Sequence, residues 1–108
     1  MGGRILQATI GNLPEILRSR KPAAVDFWAN WCKPCHAMDP ILRDLAVEFQ
    51  GRVVFAKVDV QSNWDLSEQF KIWKIPTLVF FKEGKEWDRV SGVKSRQELR
   101  KILSKLSS

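Results

Sequence analysis

The sequence has few of the residues that hold small folds together by covalent or metal links. Its 108 residues include two cysteines and one histidine, whereas a structural zinc site takes four ligands, mostly of these two types. A disulfide between Cys32 and Cys35 would close too short a loop to hold a domain together. A chain of this length buries enough apolar surface to fold without either device. The cysteines are therefore predicted to have a chemical role rather than a structural one.

Long apolar runs are also absent. No segment approaches the roughly 20 apolar residues of a membrane-spanning helix, and residues 1–12 contain no apolar core of the signal-peptide type. We therefore expect a cytoplasmic protein with no membrane partner, in which a close pair of cysteines is catalytic or metal-binding. Because 44% of the residues are hydrophobic and 28% are charged, residues 1–108 are expected to form a single globular domain.

The net charge of +6 raises the question of a nucleic-acid or acidic partner. Basic residues crowd the C-terminal segment, at Lys94, Arg96, Arg100, Lys101 and Lys105. No nucleic-acid-binding motif or aromatic-lined basic groove accompanies them. We interpret this segment as the solvated face of a helix and expect no nucleic-acid partner. A basic nucleic-acid-binding domain is the alternative, and a salt-dependent gel shift would reveal it.

Hydrophobic periodicity predicts alternating strands and helices. The strands are predicted at residues 4–10, 23–29, 53–60, 77–81 and 87–90, the last two joined by a hairpin turn at residues 83–85. Helices are predicted to begin at Asn12, after Cys32, at Ser62 or Asn63, and at Ser95, where Ser95 and Glu98 form a capping box. The order β-α-β-α-β-α-β-β-α predicts an α/β fold with parallel crossovers and one antiparallel pair.

Cys32 and Cys35 stand between a buried strand and a long amphipathic helix. A helix N-terminus carries unpaired N–H groups and a partial positive charge, which stabilise a thiolate. Cys32 is therefore predicted to be a partly exposed nucleophile at the first turn, with Lys33 adding positive charge. Cys35, one turn further, would resolve the mixed disulfide that Cys32 forms. Zinc bound by the cysteines, His36 and Asp39 is the alternative, but this site is strained and short of ligands.

These features combine in a resemblance to the thioredoxin family. The matching residues extend over essentially the whole chain: 25–35 (VDFWANWCKPC), Pro40, 57–59, 75–77, Gly84 and Gly92. The resemblance implies the thioredoxin fold, with a central mixed β-sheet flanked by helices on both faces. It implies a thiol-disulfide oxidoreductase, a general protein-disulfide reductase, with no bound cofactor and no metal. Its expected partners are disulfide-containing proteins and a recycling reductase of the thioredoxin reductase type, and the chain is expected to be a monomer.

The resemblance also assigns residues behind the cysteines. Asp26 matches the family's buried aspartate, and a carboxyl in an apolar strand is expected to have a raised pKa, suited to proton exchange with Cys35. The alternative is an aspartate at a strand end that faces solvent. Lys57 matches a lysine that lies near this aspartate. If the match carries no function, Lys57 protects a strand from aggregation or pairs a surface charge.

Further residues are assigned to substrate docking. Ile75 and Pro76 match the family's cis-proline loop, whose backbone edge can pair with an extended substrate peptide. An apolar rim around Cys32 is expected from Trp31, Ile75, Pro76 and Gly92. Lys33 and Pro34, between the cysteines, complete the expected docking residues. Trp28 is interpreted as core packing, and Trp64 and Trp87 as structural.

The sequence departs from the family pattern at four positions near the site. Lys33 replaces the usual glycine, and we hypothesise that it lowers the pKa of Cys32 and makes the couple more oxidising. His36 follows the second cysteine, where we expect it to cover solvent-facing helix surface. Trp73 and Lys74 precede the proline loop, so partner choice is the property that transfers least well. An oxidase, an isomerase and a binding scaffold remain alternatives to the reductase.

Overall fold

The computed structural model describes residues 4–108. Five strands and four helices follow one another in the predicted order: β1 (Ile5–Gln7), α1 (Leu13–Leu17), β2 (Ala23–Trp28), α2 (Lys33–Glu48), β3 (Val54–Asp59), α3 (Trp64–Gln69), β4 (Thr77–Lys82), β5 (Lys85–Ser91) and α4 (Arg96–Leu106). The strands form one sheet in the order β1-β3-β2-β4-β5. β1, β3 and β2 are mutually parallel, whereas β4 runs antiparallel to β2 and to β5. The expected mixed sheet is confirmed.

Strand β2 occupies the centre of the sheet. Its residues AAVDFW are buried except for the half-buried Trp28, as the nearly continuous apolar run predicted. The ladder places Asp26 opposite Lys57 on β3 and opposite Leu78 on β4. A carboxyl is thereby fixed in a central strand whose neighbouring residues are buried.

Alternate side chains of the sheet enter two separate cores. On one face, helices α2 and α4 cover a cluster that includes Ala24, Phe55, Leu78 and Phe80. On the other face, α1 and α3 cover a cluster that includes Val25, Phe27, Ala56, Val58 and Val79. Helices therefore flank the sheet on both faces, as expected.

The helix starts confirm some of the predicted caps. Ser95 and Glu98 form the predicted capping box of α4, each side chain bonding to the other residue's backbone N–H. Asn12 and Asn63 occupy the N-cap positions of α1 and α3 but make no side-chain cap bond. The side-chain amides instead donate to carbonyls earlier in the chain, Asn12 to Gln7 O and Asn63 to Asp59 O.

The β4–β5 hairpin is tighter than predicted. Glu83 and Gly84 both have positive φ, 54° and 79°, which is the backbone of a two-residue type I′ turn. Strand β5 therefore begins at Lys85 and not at Trp87. Within residues 4–108, no helix is both long and apolar enough to cross a membrane.

Candidate active site

The two cysteines lie where the chain leaves β2 and enters α2. The Cys32 amide donates to Ala29 O at 3.1 Å, which closes a tight turn after the strand. Cys32 is the N-cap of α2, and its Sγ accepts a hydrogen bond from the Cys35 amide at 3.2 Å. Cys32 and Cys35 are joined by a disulfide, with their Cα atoms 5.3 Å apart. A free N–H of the helix start is thus directed at the sulfur, as the sequence predicted.

The cysteines are more enclosed than expected. Cys32 is 5% exposed and Cys35 is 2% exposed, so the prediction of a partly exposed Cys32 is wrong for this disulfide-bonded state. The surrounding side chains shield the sulfurs, because Ala29, Trp28, Val60 and Ile75 pack against the pair. An apolar shell therefore surrounds the disulfide.

The loop before β4 lies against the cysteine pair through Ile75. The Ile75–Pro76 bond is cis, as the resemblance implied. Ile75 O lies 3.9 Å from Cys32 Sγ, and Pro76 O accepts a hydrogen bond of 2.8 Å from the Gly92 amide. The loop is held further by Thr77 Oγ1, which donates to Lys74 O at 2.6 Å. The loop before β4 and the turn after β5 are thus tied together beside Cys32.

The expected apolar rim is only partly exposed. Trp31 is largely exposed, while Ile75 and Gly92 are half-buried. Pro76 is buried, so its ring does not form part of the accessible rim. Lys33 and Pro34 are exposed at the first turn of α2. The accessible surface next to Cys32 is therefore Trp31 and the start of α2, with the Ile75 backbone behind them.

Asp26 is buried in β2, the strand that precedes the cysteines. It is 2% exposed, which rules out an aspartate at a solvent-facing strand end. Within residues 4–108, no group forms a hydrogen bond with its Oδ1. Burial raises the pKa of Asp26 to about 7, the nearby Lys57 cation opposes the rise, and Asp39 adds to it. A carboxyl that titrates near neutral pH is suited to proton transfer.

Lys57 lies near Asp26, as the family match implied, and it also pairs with a second carboxylate. It stands opposite Asp26 in the ladder, but its Nζ lies 3.3 Å from Asp39 Oδ1 on α2. The same ammonium lies 4.3 Å from the centre of the Trp28 ring, a cation–π contact. No sequence pattern indicates this ion pair beyond the position of Asp39, which is one helical turn after Cys35 and on the same face of α2.

The other residues singled out in the sequence differ in their contacts and exposure. His36 covers helix surface as expected: its Nε2 lies 2.6 Å from Asn30 O, and its ring meets the edge of Trp28. Trp73 is 85% exposed and Lys74 is also exposed. Trp64 and Trp87 are exposed too, so their interpretation as structural tryptophans is wrong.

In the described part of the chain, no three His, Cys, Asp or Glu side chains are grouped to hold a metal ion.

Comparison with known proteins agrees with this geometry. The thioredoxin family model matches residues 5–105. A thioredoxin of Mycobacterium bovis is 40% identical over 90 residues, which are 83% of this chain and 78% of the relative. A bifunctional thioredoxin reductase/thioredoxin of Mycobacterium leprae is 38% identical over 90 residues, 83% of this chain and 20% of the relative.

Solved structures show the same fold. The crystal structure of Malassezia sympodialis thioredoxin (Mala s 13) superposes with a TM-score of 0.90 at 28% identity, covering 98% of this chain and 93% of that one. The family match covers nearly the full chain, and the cysteine pair stands at disulfide distance at a helix start. The chain therefore belongs to the thioredoxin family and is a thiol-disulfide oxidoreductase, a protein-disulfide reductase.

Proposed function

We propose that this chain is a general protein-disulfide reductase whose redox centre is the Cys32–Cys35 pair. The observation that carries the proposal is the placement of Cys32 Sγ. It accepts a hydrogen bond from the Cys35 amide at 3.2 Å at the start of α2, lies 3.9 Å from the Ile75 carbonyl oxygen, and follows the strand that carries the buried Asp26. This surrounding supports a stabilised thiolate in the reduced protein.

The first step is an attack by the Cys32 thiolate on a substrate disulfide. The substrate S–S bond breaks, one substrate sulfur leaves as a thiolate, and the other forms a mixed disulfide with Cys32. The helix N-terminus stabilises this thiolate relative to the thiol. The residues proposed to guide the substrate are Trp31, Lys33, Pro34, Ile75 and Gly92, and the backbone edge at Ile75 is proposed to pair with an extended peptide.

The second step releases the substrate. Cys35 loses its proton to the Asp26 carboxylate and attacks Cys32 Sγ, so that the mixed disulfide breaks and the second substrate thiolate departs. Two electrons have passed to the substrate, and the protein is left with the Cys32–Cys35 disulfide. Lys57 adjusts the electrostatics of Asp26, and Pro76 fixes the loop that presents Ile75 O. A pKa of about 7 allows Asp26 to accept and return the proton at neutral pH.

A reductase of the thioredoxin reductase type is proposed to return two electrons to the disulfide. The fused reductase/thioredoxin of Mycobacterium leprae supports this pairing of activities. We further propose that the chain acts in the cytoplasm, where protein thiols are kept reduced. It is proposed to work as a monomer of one domain, residues 1–108, with no cofactor of its own.

Lys33 is proposed to make the couple more oxidising than a glycine would. It is exposed at the first position of α2, next to the Cys32 sulfur, and a cation there favours the reduced thiolate form. Lys33→Gly is therefore expected to give a more negative reduction potential against glutathione. An unchanged or less negative potential would contradict this role.

The experiment that tests the function uses substrate trapping. Cys35→Ser leaves Cys32 free to attack but removes the resolving thiol, so mixed disulfides should accumulate and be released by dithiothreitol. Cys32→Ser/Cys35→Ser is the matched control and should trap nothing. Wild-type protein should also reduce insulin in a turbidity assay with NADPH and a thioredoxin reductase. A Cys35→Ser variant that traps no protein, together with an inactive wild type, would favour the binding scaffold.

A further inference from the structure

The Lys57 ammonium acts electrostatically on the Asp26 carboxyl but forms its hydrogen bond with the Asp39 carboxylate. Asp26 faces it across the β2–β3 ladder, yet the hydrogen bond of the ammonium goes to Asp39 Oδ1, at 3.3 Å. The Trp28 ring holds the ammonium from a second side, at 4.3 Å from the ring centre. Asp26 Oδ1 is left without a hydrogen-bond partner among residues 4–108. The Lys57 ammonium is thus hydrogen-bonded to Asp39 on α2, and Asp26 Oδ1 on β2 receives no hydrogen bond from it.

The Lys57–Asp39 pair is more enclosed than the other contact that Asp39 makes. The Lys57 and Asp39 side chains are 15% and 23% exposed. Arg43 also approaches Asp39, at 3.4 Å, but its side chain is 72% exposed. Solvent screens an exposed ion pair far more than an enclosed one. Lys57 is therefore the cation that Asp39 binds most effectively.

We propose that Asp39 is a positioning residue for disulfide exchange: it holds the Lys57 ammonium against Trp28 and α2, and so preserves Asp26 as a strong proton acceptor for Cys35. The inference rests on the role proposed above for Asp26. It adds a residue that touches neither substrate nor sulfur and acts through Lys57. If Lys57 bonded directly to Asp26, the cation would stabilise the carboxylate and weaken it as a base.

Two charged groups shift the pKa of Asp26, so the effect of Asp39 on that pKa can be measured separately from the effect of Lys57. β3 contributes Lys57 and α2 contributes Asp39, and the mechanism proposed above adds the Cys35 thiol of the reduced protein. β4 places the uncharged Leu78 opposite Asp26. The charged groups that shift the pKa of Asp26 are Lys57, which lowers it, and Asp39, which raises it, while burial has the largest effect. Removing the Asp39 charge therefore acts on Asp26 in one direction only.

The first test is a measurement of the Asp26 pKa in the oxidised protein, in which neither cysteine titrates. The Cγ chemical shift of 13C-labelled aspartate is followed by NMR against pH in the wild type and in Asp39→Asn. We expect the Asp26 midpoint of Asp39→Asn to fall by about one pH unit, because the uncompensated Lys57 then acts on Asp26. A midpoint that is unchanged or higher overturns the proposal.

Three further variants separate positioning from other effects. Asp39→Glu keeps the carboxylate and should retain the wild-type midpoint, whereas Arg43→Gln removes only the exposed contact and should leave the midpoint nearly unchanged. In a Lys57→Met background, Asp39→Asn should shift the midpoint by less than half as much as it does when Lys57 is present. An equal shift in both backgrounds shows that Asp39 acts without Lys57 and overturns its positioning role.

A kinetic measurement distinguishes failure of this proposal from failure of the proposed function. The rate at which Cys35 resolves the mixed disulfide with a small peptide is measured against pH by stopped flow for wild type and Asp39→Asn, at peptide concentrations high enough that the attack by Cys32 is not rate-limiting. We expect the acidic limb of the Asp39→Asn profile to move to lower pH together with the NMR midpoint. If the NMR midpoint moves and the rate profile does not, Asp26 is not the proton acceptor and the proposed mechanism fails at that step. If neither moves, Asp39 does not control Asp26.

Discussion

Helix α2 carries acidic side chains in both of its halves, and the two halves surround them differently. In the first half, Asp39 binds the enclosed Lys57, close to the buried Asp26. In the second half, Asp44 and Glu48 form ion pairs across to α4, with Arg96 and Arg100. All four of those side chains are exposed. One helix thus joins an enclosed charged cluster to a solvated one.

The two halves of α2 are expected to contribute differently to activity and to the free energy of unfolding. Exposed ion pairs contribute little to folding, because water and salt screen them. The α2–α4 contact is held instead by apolar side chains such as Leu99 and Leu103. Burying Asp26 costs free energy in its charged form and gives a carboxyl with a pKa near neutrality. Changes in the first half should therefore alter activity, and changes in the second half should alter stability or nothing.

The largest effect on activity is expected from Cys32→Ser. Without the attacking thiolate, insulin reduction should fall by more than about 1,000-fold. Serine is a good N-cap residue, so α2 keeps its cap and the protein should remain folded. Circular dichroism and an insulin turbidity assay check both statements. Residual activity within tenfold of the wild type would mean that Cys32 is not the nucleophile.

Asp26→Asn is expected to raise stability while it lowers activity. In the wild type, the folded state keeps the Asp26 proton up to a pKa of about 7, while the unfolded carboxyl releases it near 3.8. Between these two values the folded state holds more protons, so the free energy of unfolding falls as pH rises and then levels off above the folded pKa. The difference in pKa corresponds to about 4 kcal/mol at most, and the uncharged asparagine avoids that loss.

Urea unfolding of the oxidised proteins at several values between pH 4 and pH 9 measures this gain. Asp26→Asn should exceed the wild type in stability above neutral pH, with the difference shrinking toward pH 4. Its reductase activity should be lower by about 100-fold, the usual contribution of a general base. Parallel stability curves for the two proteins would mean that Asp26 does not titrate as described.

Leu103→Ala tests whether the contact between α2 and α4 contributes to stability and not to activity. Leu103 is buried on α4 in the core that α2 covers. Its truncation should lower the free energy of unfolding by about 2–5 kcal/mol, through lost burial and a cavity. Ile102, on the same helix, is only half-buried, so Ile102→Ala is the control and should cost less. Both variants should reduce insulin at the wild-type rate at 25 °C, and a tenfold loss would show that this region does support the chemistry.

The fold could be predicted from the sequence because its signals are local. Apolar periodicity, one nearly continuous apolar run and turn signals predict the strands and helices seen in residues 4–108, and the Ser95 capping box depends on residues three apart. Asn12 and Asn63 were predicted as side-chain caps, but carbonyls upstream in the chain bind their amides. A short polar side chain has several backbone partners within reach, and the sequence does not rank them.

The site was predictable where it depends on one strand or one turn. Asp26 is conspicuous in an apolar run, and Cys32 is conspicuous before a helix. The Lys57–Asp39 pair joins residues 18 positions apart, and it depends on how α2 crosses β3, which no local pattern records. Trp64 and Trp87 were misjudged for a related reason: hydrophobicity predicts burial on average, but the first turn of α3 and an edge strand leave such rings in solvent.

The smallest effect is expected from Glu48→Gln, and its sign with pH is opposite to that of Asp26→Asn. The hydrogen bond from Arg100 Nε, 2.8 Å from Glu48 Oε2, lowers the pKa of Glu48 below its usual 4.5. This ion pair therefore stabilises the folded state only above the unfolded pKa, and the contribution is lost as pH falls. The wild type should exceed Glu48→Gln slightly in stability at pH 7 and low salt, and should match it at pH 3 or in 1 M NaCl. Thermal unfolding under these conditions measures the difference, and a difference that persists in high salt would mean that Glu48 acts through packing. Opposite slopes with pH at the two positions would show that the buried carboxyl of Asp26 on β2 lowers the free energy of unfolding when it ionises, whereas the exposed carboxyl of Glu48 on α2 slightly raises it.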